Sequence, residues 1–95
     1  MNSFNIFYTT AFKKDLKKFK NKSIDFELIR NCVQRLAEGG YEKIPEIMKP
    51  HLLKGNYANY WECHIKPDLL LIWRQNDEYH KIELARIGNH SDLFG

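Results

Sequence analysis

Tyr60-Trp-Glu-Cys-His-Ile-Lys66, followed by Pro67-Asp68 and Leu69-Leu-Leu-Ile-Trp-Arg74, reads as two antiparallel strands about a tight turn. Successive side chains of a strand point to opposite faces. Trp61, Cys63 and Ile65 therefore form an apolar face, and Tyr60, Glu62, His64 and Lys66 a polar one. Pro67-Asp68 suits the central positions of a type I turn. Leu69 to Arg74 is mostly apolar and reads as a central strand.

The same period extends outward. His51 to Lys54 is expected as a short strand, with Gly55-Asn56 as its turn, and Asn76-Asp77 turns into a strand over Tyr79 to Ile87, completing an antiparallel meander. Asn5 to Thr9 reads as an opening strand with Phe4, Ile6 and Tyr8 on one face. Between these regions the period becomes helical. Ala11, Phe12, Leu16 and Phe19 follow Thr10 as N-cap, and Phe26, Ile29, Cys32, Val33 and Leu36 follow Ser23 as N-cap and stop at Gly39-Gly40. Two helices joined by a few residues predict an antiparallel hairpin. The order β-α-α-β-β-β-β indicates an α+β fold, with the hairpin on one face of a small, mainly antiparallel sheet and the other face left available.

Ninety-five residues fit one domain, residues 1–95. The 43% hydrophobic content supports a core and excludes disorder as the default. No run approaches the ~20 apolar residues of a membrane span, and Met1 to Asn5 has no secretory-signal character, so a cytoplasmic protein without membrane contact is expected. Cys32 and Cys63 lack CxxC spacing and read as reduced core residues.

Charge is uneven. Residues 1–54 carry 11 Lys/Arg against 6 Asp/Glu, and residues 55–95 carry 4 against 6. Lys13, Lys14, Lys17, Lys18, Lys20 and Lys22 are opposed locally only by Asp15. Such a run suits either a polyanion partner or a solvated helix face.

Four histidines could carry chemistry. His51 starts a strand, His64 lies on a polar strand face, and His90 follows the last strand. His80 shares a strand face with Ile82, Leu84 and Arg86 and reads as packing. There is no HxH, HExxH or CxxC pair to hold a metal, and Cys63 faces away from His64, which disfavours a Cys-His nucleophile. Imidazole both takes and gives protons near neutrality. RNA carries its own nucleophile, the 2′-OH, so a base, an acid and a cation near the phosphate suffice, with no metal or cofactor obligatory. Ordinary strand-edge and turn roles remain open for the same residues.

The segments Lys49-Pro-His51-Leu-Leu-Lys-Gly55, Tyr60-Trp-Glu-Cys-His64-Ile-Lys-Pro67-Asp68-Leu-Leu-Leu-Ile72 and Arg86-Ile-Gly88-Asn-His90-Ser-Asp-Leu-Phe94 resemble the YafQ branch of the RelE/ParE toxin superfamily. The resemblance is close over the C-terminal half and a matter of pattern and charge in the helical half. It implies a RelE-like toxin of a type II toxin-antitoxin pair: a metal-independent, ribosome-dependent endoribonuclease that cuts translated mRNA. A DinJ-like antitoxin would be its partner and, with the toxin, would bind operator DNA. By the same resemblance His90 is the general acid, and His51 and His64 are base and phosphate contact in undecided order. Asp68 orients an imidazole, Glu62 stands where the branch often has Asp, and Arg86 stabilises phosphate charge. Phe94 would stack on a base, and Lys54, Lys66, Lys13 and Lys17 would contact substrate or ribosomal RNA. Leu69 stands where the branch can have an aromatic residue, which unsettles any codon preference. Two alternatives are a ParE-type toxin acting on DNA gyrase and a non-toxic regulatory partner. Retention of all three matching histidines argues against the latter.

Overall fold

The computed structural model describes residues 3–95, so the part of the secretory-signal reading that rests on Met1 and Asn2 lies outside the described residues. Strand β1 (Asn5–Tyr8) leads into helix α1 (Thr10–Leu16), a helical turn at Lys17–Phe19 and helix α2 (Ser23–Gly39). Strands β2 (His51–Leu52), β3 (Trp61–Lys66), β4 (Leu69–Asn76) and β5 (Lys81–Gly88) follow, and helix α3 (His90–Phe94) ends the chain. The sheet order is β1-β5-β4-β3-β2, with β1 parallel to β5 and every other pair antiparallel. The expected α+β meander is therefore present.

Burial follows the pleat. Leu69, Leu71 and Trp73 of β4 and Ile82, Leu84 and Ile87 of β5 meet Phe12, Ile29, Cys32 and Leu36 in one core. Ile29, Cys32 and Leu36 share a helix face because they are spaced three and four apart. Leu84 and Ile87 both point inward although they stand three positions apart, an odd spacing. A register shift allows this: Trp73 pairs with Leu84 and Ile72 with Arg86, leaving Ala85 as an extra residue. The bulge thereby turns Arg86 to the opposite face. Helix α2 stops at Gly40, whose φ of 70° suits glycine; a Cβ there would stand 2.6 Å from the Gln75 side chain.

Several local expectations need correction. Thr9, not Thr10, caps α1, because its extended backbone lets Oγ1 accept from the Phe12 N–H at 3.1 Å while donating to the Leu84 carbonyl at 2.8 Å. Ser23 is the first residue of α2, and Lys22 precedes it without a side-chain cap. The strand expected over 51–54 spans only His51–Leu52. Tyr8 is half exposed and leans on Phe12, with ring centroids 5.9 Å apart, while Ile6 packs into the core. His80 belongs to the β4–β5 turn, at φ 52°, and stacks on Phe4 at 5.3 Å.

The second sheet face is not left bare. Leu70 and Ile72 are covered by Leu93 of α3 and by Leu53, Tyr57 and Tyr60. Helix α3 was not anticipated, since five residues give too little periodicity to read. Its one sequence signal is Asn89, which caps it by accepting from the Asp92 N–H at 2.7 Å. Cys32 and Cys63 are free, buried core residues as expected, with sulfurs 3.7 Å apart. Among the described residues no helix is long and apolar enough to cross a membrane.

Candidate active site

Two rows of paired residues cross the sheet. In one, His51 of β2 faces Glu62 of β3, which faces Ile72 of β4, which faces Arg86 of β5; in the next, His64 faces Leu70, which faces Gly88. Paired residues share a face, so His51, Glu62, His64 and Arg86 all lie on the side away from α2. Neighbouring strands are about 4.8 Å apart, which puts His64 and Gly88 about 10 Å apart. His90 follows Gly88 by two residues, so the three histidines gather at one end of this face.

Glu62 anchors the group. It is 6% exposed, unusual for a carboxylate, and its Oε1 lies 3.2 Å from His51 Nε2 and 3.7 Å from His64 Nε2. A buried carboxylate is costly unless partnered, and these imidazoles are its partners. His51 Nδ1 lies 2.7 Å from the Lys49 carbonyl, which can only accept. Both His51 nitrogens thus face acceptors. Lys49 itself holds φ 52°, the left-handed turn that presents this carbonyl. The His64 ring is held more loosely, with Nδ1 3.5 Å from the Pro67 carbonyl.

His90 opens α3, and its backbone N–H donates to Asp68 Oδ1 at 3.2 Å. Asp68 therefore holds the main chain of His90; no contact with an imidazole is seen. Phe94 stacks at a tilt on His90, with centroids 5.1 Å apart, and meets the edge of Tyr57 at 5.6 Å. Its 39% exposure leaves part of the ring free.

Arg86 is already engaged. Its Nε and Nη2 donate to the two Asp15 oxygens at 2.7 and 3.1 Å, and Asp15 also accepts from the Ile87 N–H at 3.1 Å. The hydrogen bond that Arg86 donates to Asp15 pushes the Arg86 pKa up, against the lowering effect of burial. Lys66 is paired with Asp25 of α2. Lys54, Lys13 and Lys17 are exposed, and Lys13 and Lys17 sit on or just after α1, away from the histidine rows. Sequence reading missed Tyr57, which carries no motif, and the partner of Arg86. Asp15 could have been found as the one acid inside the lysine run.

A helical layer thus covers one face of a five-stranded, mainly antiparallel sheet, and His51, His64 and His90 lie toward one end of the other face. The family model described as a bacterial toxin of type II toxin-antitoxin system, YafQ, matches residues 4–95, and the chain belongs to this family. The mRNA interferase toxin YafQ of Escherichia coli K12 is 29% identical over 91 residues, covering 96% of each chain. The E. coli DinJ-YafQ toxin-antitoxin complex superposes with a TM-score of 0.84 at 27% identity, covering 98% of this chain and 99% of that one. A metal-bound toxin from Helicobacter pylori gives a TM-score of 0.80 at 35% identity, over 96% and 99%. In the present chain, no group of three or more His, Cys, Asp or Glu among the described residues is arranged to hold a metal ion.

Proposed function

We propose that this chain is the toxin of a type II toxin-antitoxin pair and a ribosome-dependent, metal-independent endoribonuclease that cuts translated mRNA by acid-base catalysis. The observation that carries this reading is the gathering of His51, Glu62, His64 and His90 at one end of one sheet face. The 2′-OH attacks the adjacent phosphorus, a base takes its proton, and an acid returns a proton to the departing 5′-oxygen.

The contacts of the two histidines left open above favour different roles for them. His51, held between the Lys49 carbonyl and the Glu62 carboxylate, is the contact to the phosphate. His64 has the longer contacts and is the freer ring, suited to accept the 2′-OH proton. His90, exposed and fixed at the main chain by Asp68, is the acid, and Phe94 beside it stacks on a base of the substrate. Arg86 acts at longer range, its charge shared with Asp15. A DinJ-like antitoxin is the partner, as in the DinJ-YafQ complex of E. coli, and the pair represses its own operator.

The test is to map mRNA 5′ ends in a translation reaction containing ribosomes, comparing wild type with His90→Ala. In-frame cuts made by wild type and absent with the variant are the expected result. Absence of cuts by a folded, antitoxin-binding wild type would overturn the reading.

A further inference from the structure

A line of rings leads away from His90. Phe94 lies 5.1 Å from the imidazole, Tyr57 meets Phe94 at 5.6 Å, and Tyr60 meets Tyr57 at 5.7 Å, the last two contacts edge to face. The Arg74 guanidinium, 5.8 Å from the centre of the Tyr60 ring, ends the line. All of it lies on the sheet face that carries the histidine rows. Tyr57 and Tyr60 pack over Leu70 and Ile72 of β4, and Arg74 is the next residue of that strand to point the same way. At about 3.3 Å per residue, Arg74 stands ~13 Å along β4 from Leu70, the partner of His64. The line therefore runs from the active end of the face to its opposite end.

Core packing accounts for the inner sides of the two tyrosines but not for Arg74. It is exposed, and neither Glu83, which faces it from β5, nor any other acid among the described residues forms an ion pair with it. A guanidinium of this kind offers a flat, weakly hydrated surface beside a half-buried ring. Rings and guanidinium planes are the surfaces on which the unstacked bases of single-stranded RNA pack. Beyond Arg74 the face opens into a cleft of about 640 Å³ whose walls include Asn59 and Asn76. Arg74 and Lys81 in its lining are balanced by Asp77 and Glu83, so flat surfaces and amides, and not net charge, distinguish this end of the face.

We propose that Tyr60 and Arg74 form a stacking subsite for one base of the mRNA strand near the cut, separate from the base stacked on Phe94; the assignment rests on the ribonuclease reading above. Tyr57, wedged between Phe94 and Tyr60, sets the separation of the two subsites. The strand being cut is the occupant, because the line of rings begins at the group that serves its departing oxygen.

The test measures affinity for ribosomes programmed with an mRNA made uncleavable by 2′-deoxy residues across the decoded codon. The intact mRNA is compared with versions that lack the base of one nucleotide at a time, within the codon and beside it. Wild type, Tyr60→Leu, Tyr60→Phe and Arg74→Lys are each assayed, with urea unfolding and antitoxin binding as checks on folding. Arg74→Lys keeps the charge and removes the plane, and its exposed position leaves the core untouched. Loss of one stacked base weakens binding by about 5- to 150-fold. Removing the base at one position should cost wild type this much. Tyr60→Leu and Arg74→Lys should show a loss in that range on intact mRNA and no further loss when that base is missing, while Tyr60→Phe stays within about twofold of wild type. Wild-type affinity in both variants, or losses that persist undiminished on every base-deleted mRNA, overturns the inference even if wild type cuts mRNA. Conversely, base-dependent binding through Tyr60 and Arg74 by a wild type that makes no cuts would remove the nuclease reading and leave the subsite standing.

Discussion

Arg86 grips Asp15 through two parallel hydrogen bonds, 2.7 and 3.1 Å long, that fasten the last strand of the sheet to the first helix. A bidentate guanidinium-carboxylate pair fixes orientation as well as distance. Asp15 also accepts the Ile87 N–H, so three donors converge on one buried carboxylate. Asp15→Ala should cost about 2 to 3 kcal/mol, less than a fully buried pair because Arg86 keeps some solvent. Urea unfolding measures it. An unchanged midpoint would show that solvent replaces the pair without loss.

Glu62 is expected to act through the rings it faces. Glu62→Gln keeps the volume and removes the carboxylate that faces His51 and His64. Cleavage in a translating extract should fall by about a hundredfold while the unfolding midpoint shifts little. Activity within a factor of two of wild type would detach Glu62 from the mechanism.

Tyr57 should matter through Phe94. Their rings meet edge to face, 80° apart, an arrangement worth about 1 kcal/mol beyond area burial. Stabilities of Tyr57→Ala, Phe94→Ala and the double variant should give a coupling of that size. The two single variants should also shift cut-site selectivity in the same direction. Additive stabilities would mean that the rings are neighbours without consequence.

Cys63 links stability to alkaline pH. Its hydrogen bond with Cys32, then burial, then the nearby Glu62 charge all push its pKa up. The folded state therefore keeps this proton at pH values where the unfolded chain, with an ordinary thiol pKa near about 8.5, has lost it. Stability is fully present below that value and falls above it, by about 1.4 kcal/mol per pH unit for one thiol. Comparing urea unfolding at pH 8 and pH 10, wild type should lose more than Cys63→Ala. Equal losses would show that other groups account for the alkaline slope.

Strand alternation made β3 and β4 legible, and with them the apolar and polar faces on which His64 and Glu62 are sorted. Short-range signals did less well. Thr9 and Thr10 are equivalent caps by type, and only the tertiary bond from Thr9 to Leu84 selects between them. His80 fits the alternation of β5, yet the chain needs it in a turn. The site's histidines were readable because each lies in a recognisable local pattern. Partnerships across the fold, such as Arg86 with Asp15 or Lys66 with Asp25, have no local trace, since 71 and 41 residues separate the members.

The pairing of Asn5 with Lys81 has a consequence for synthesis. Strand β1 leaves the translating ribosome well before β5, its sheet neighbour among the described residues, 76 positions later. Closing so long a loop is an entropic cost that folding must meet after β5 has appeared, while chain growth proceeds at about 5 to 20 residues per second. His90 and Phe94 are made later still. A chain still short of β5 therefore has no partner for its parallel strand and cannot close the sheet.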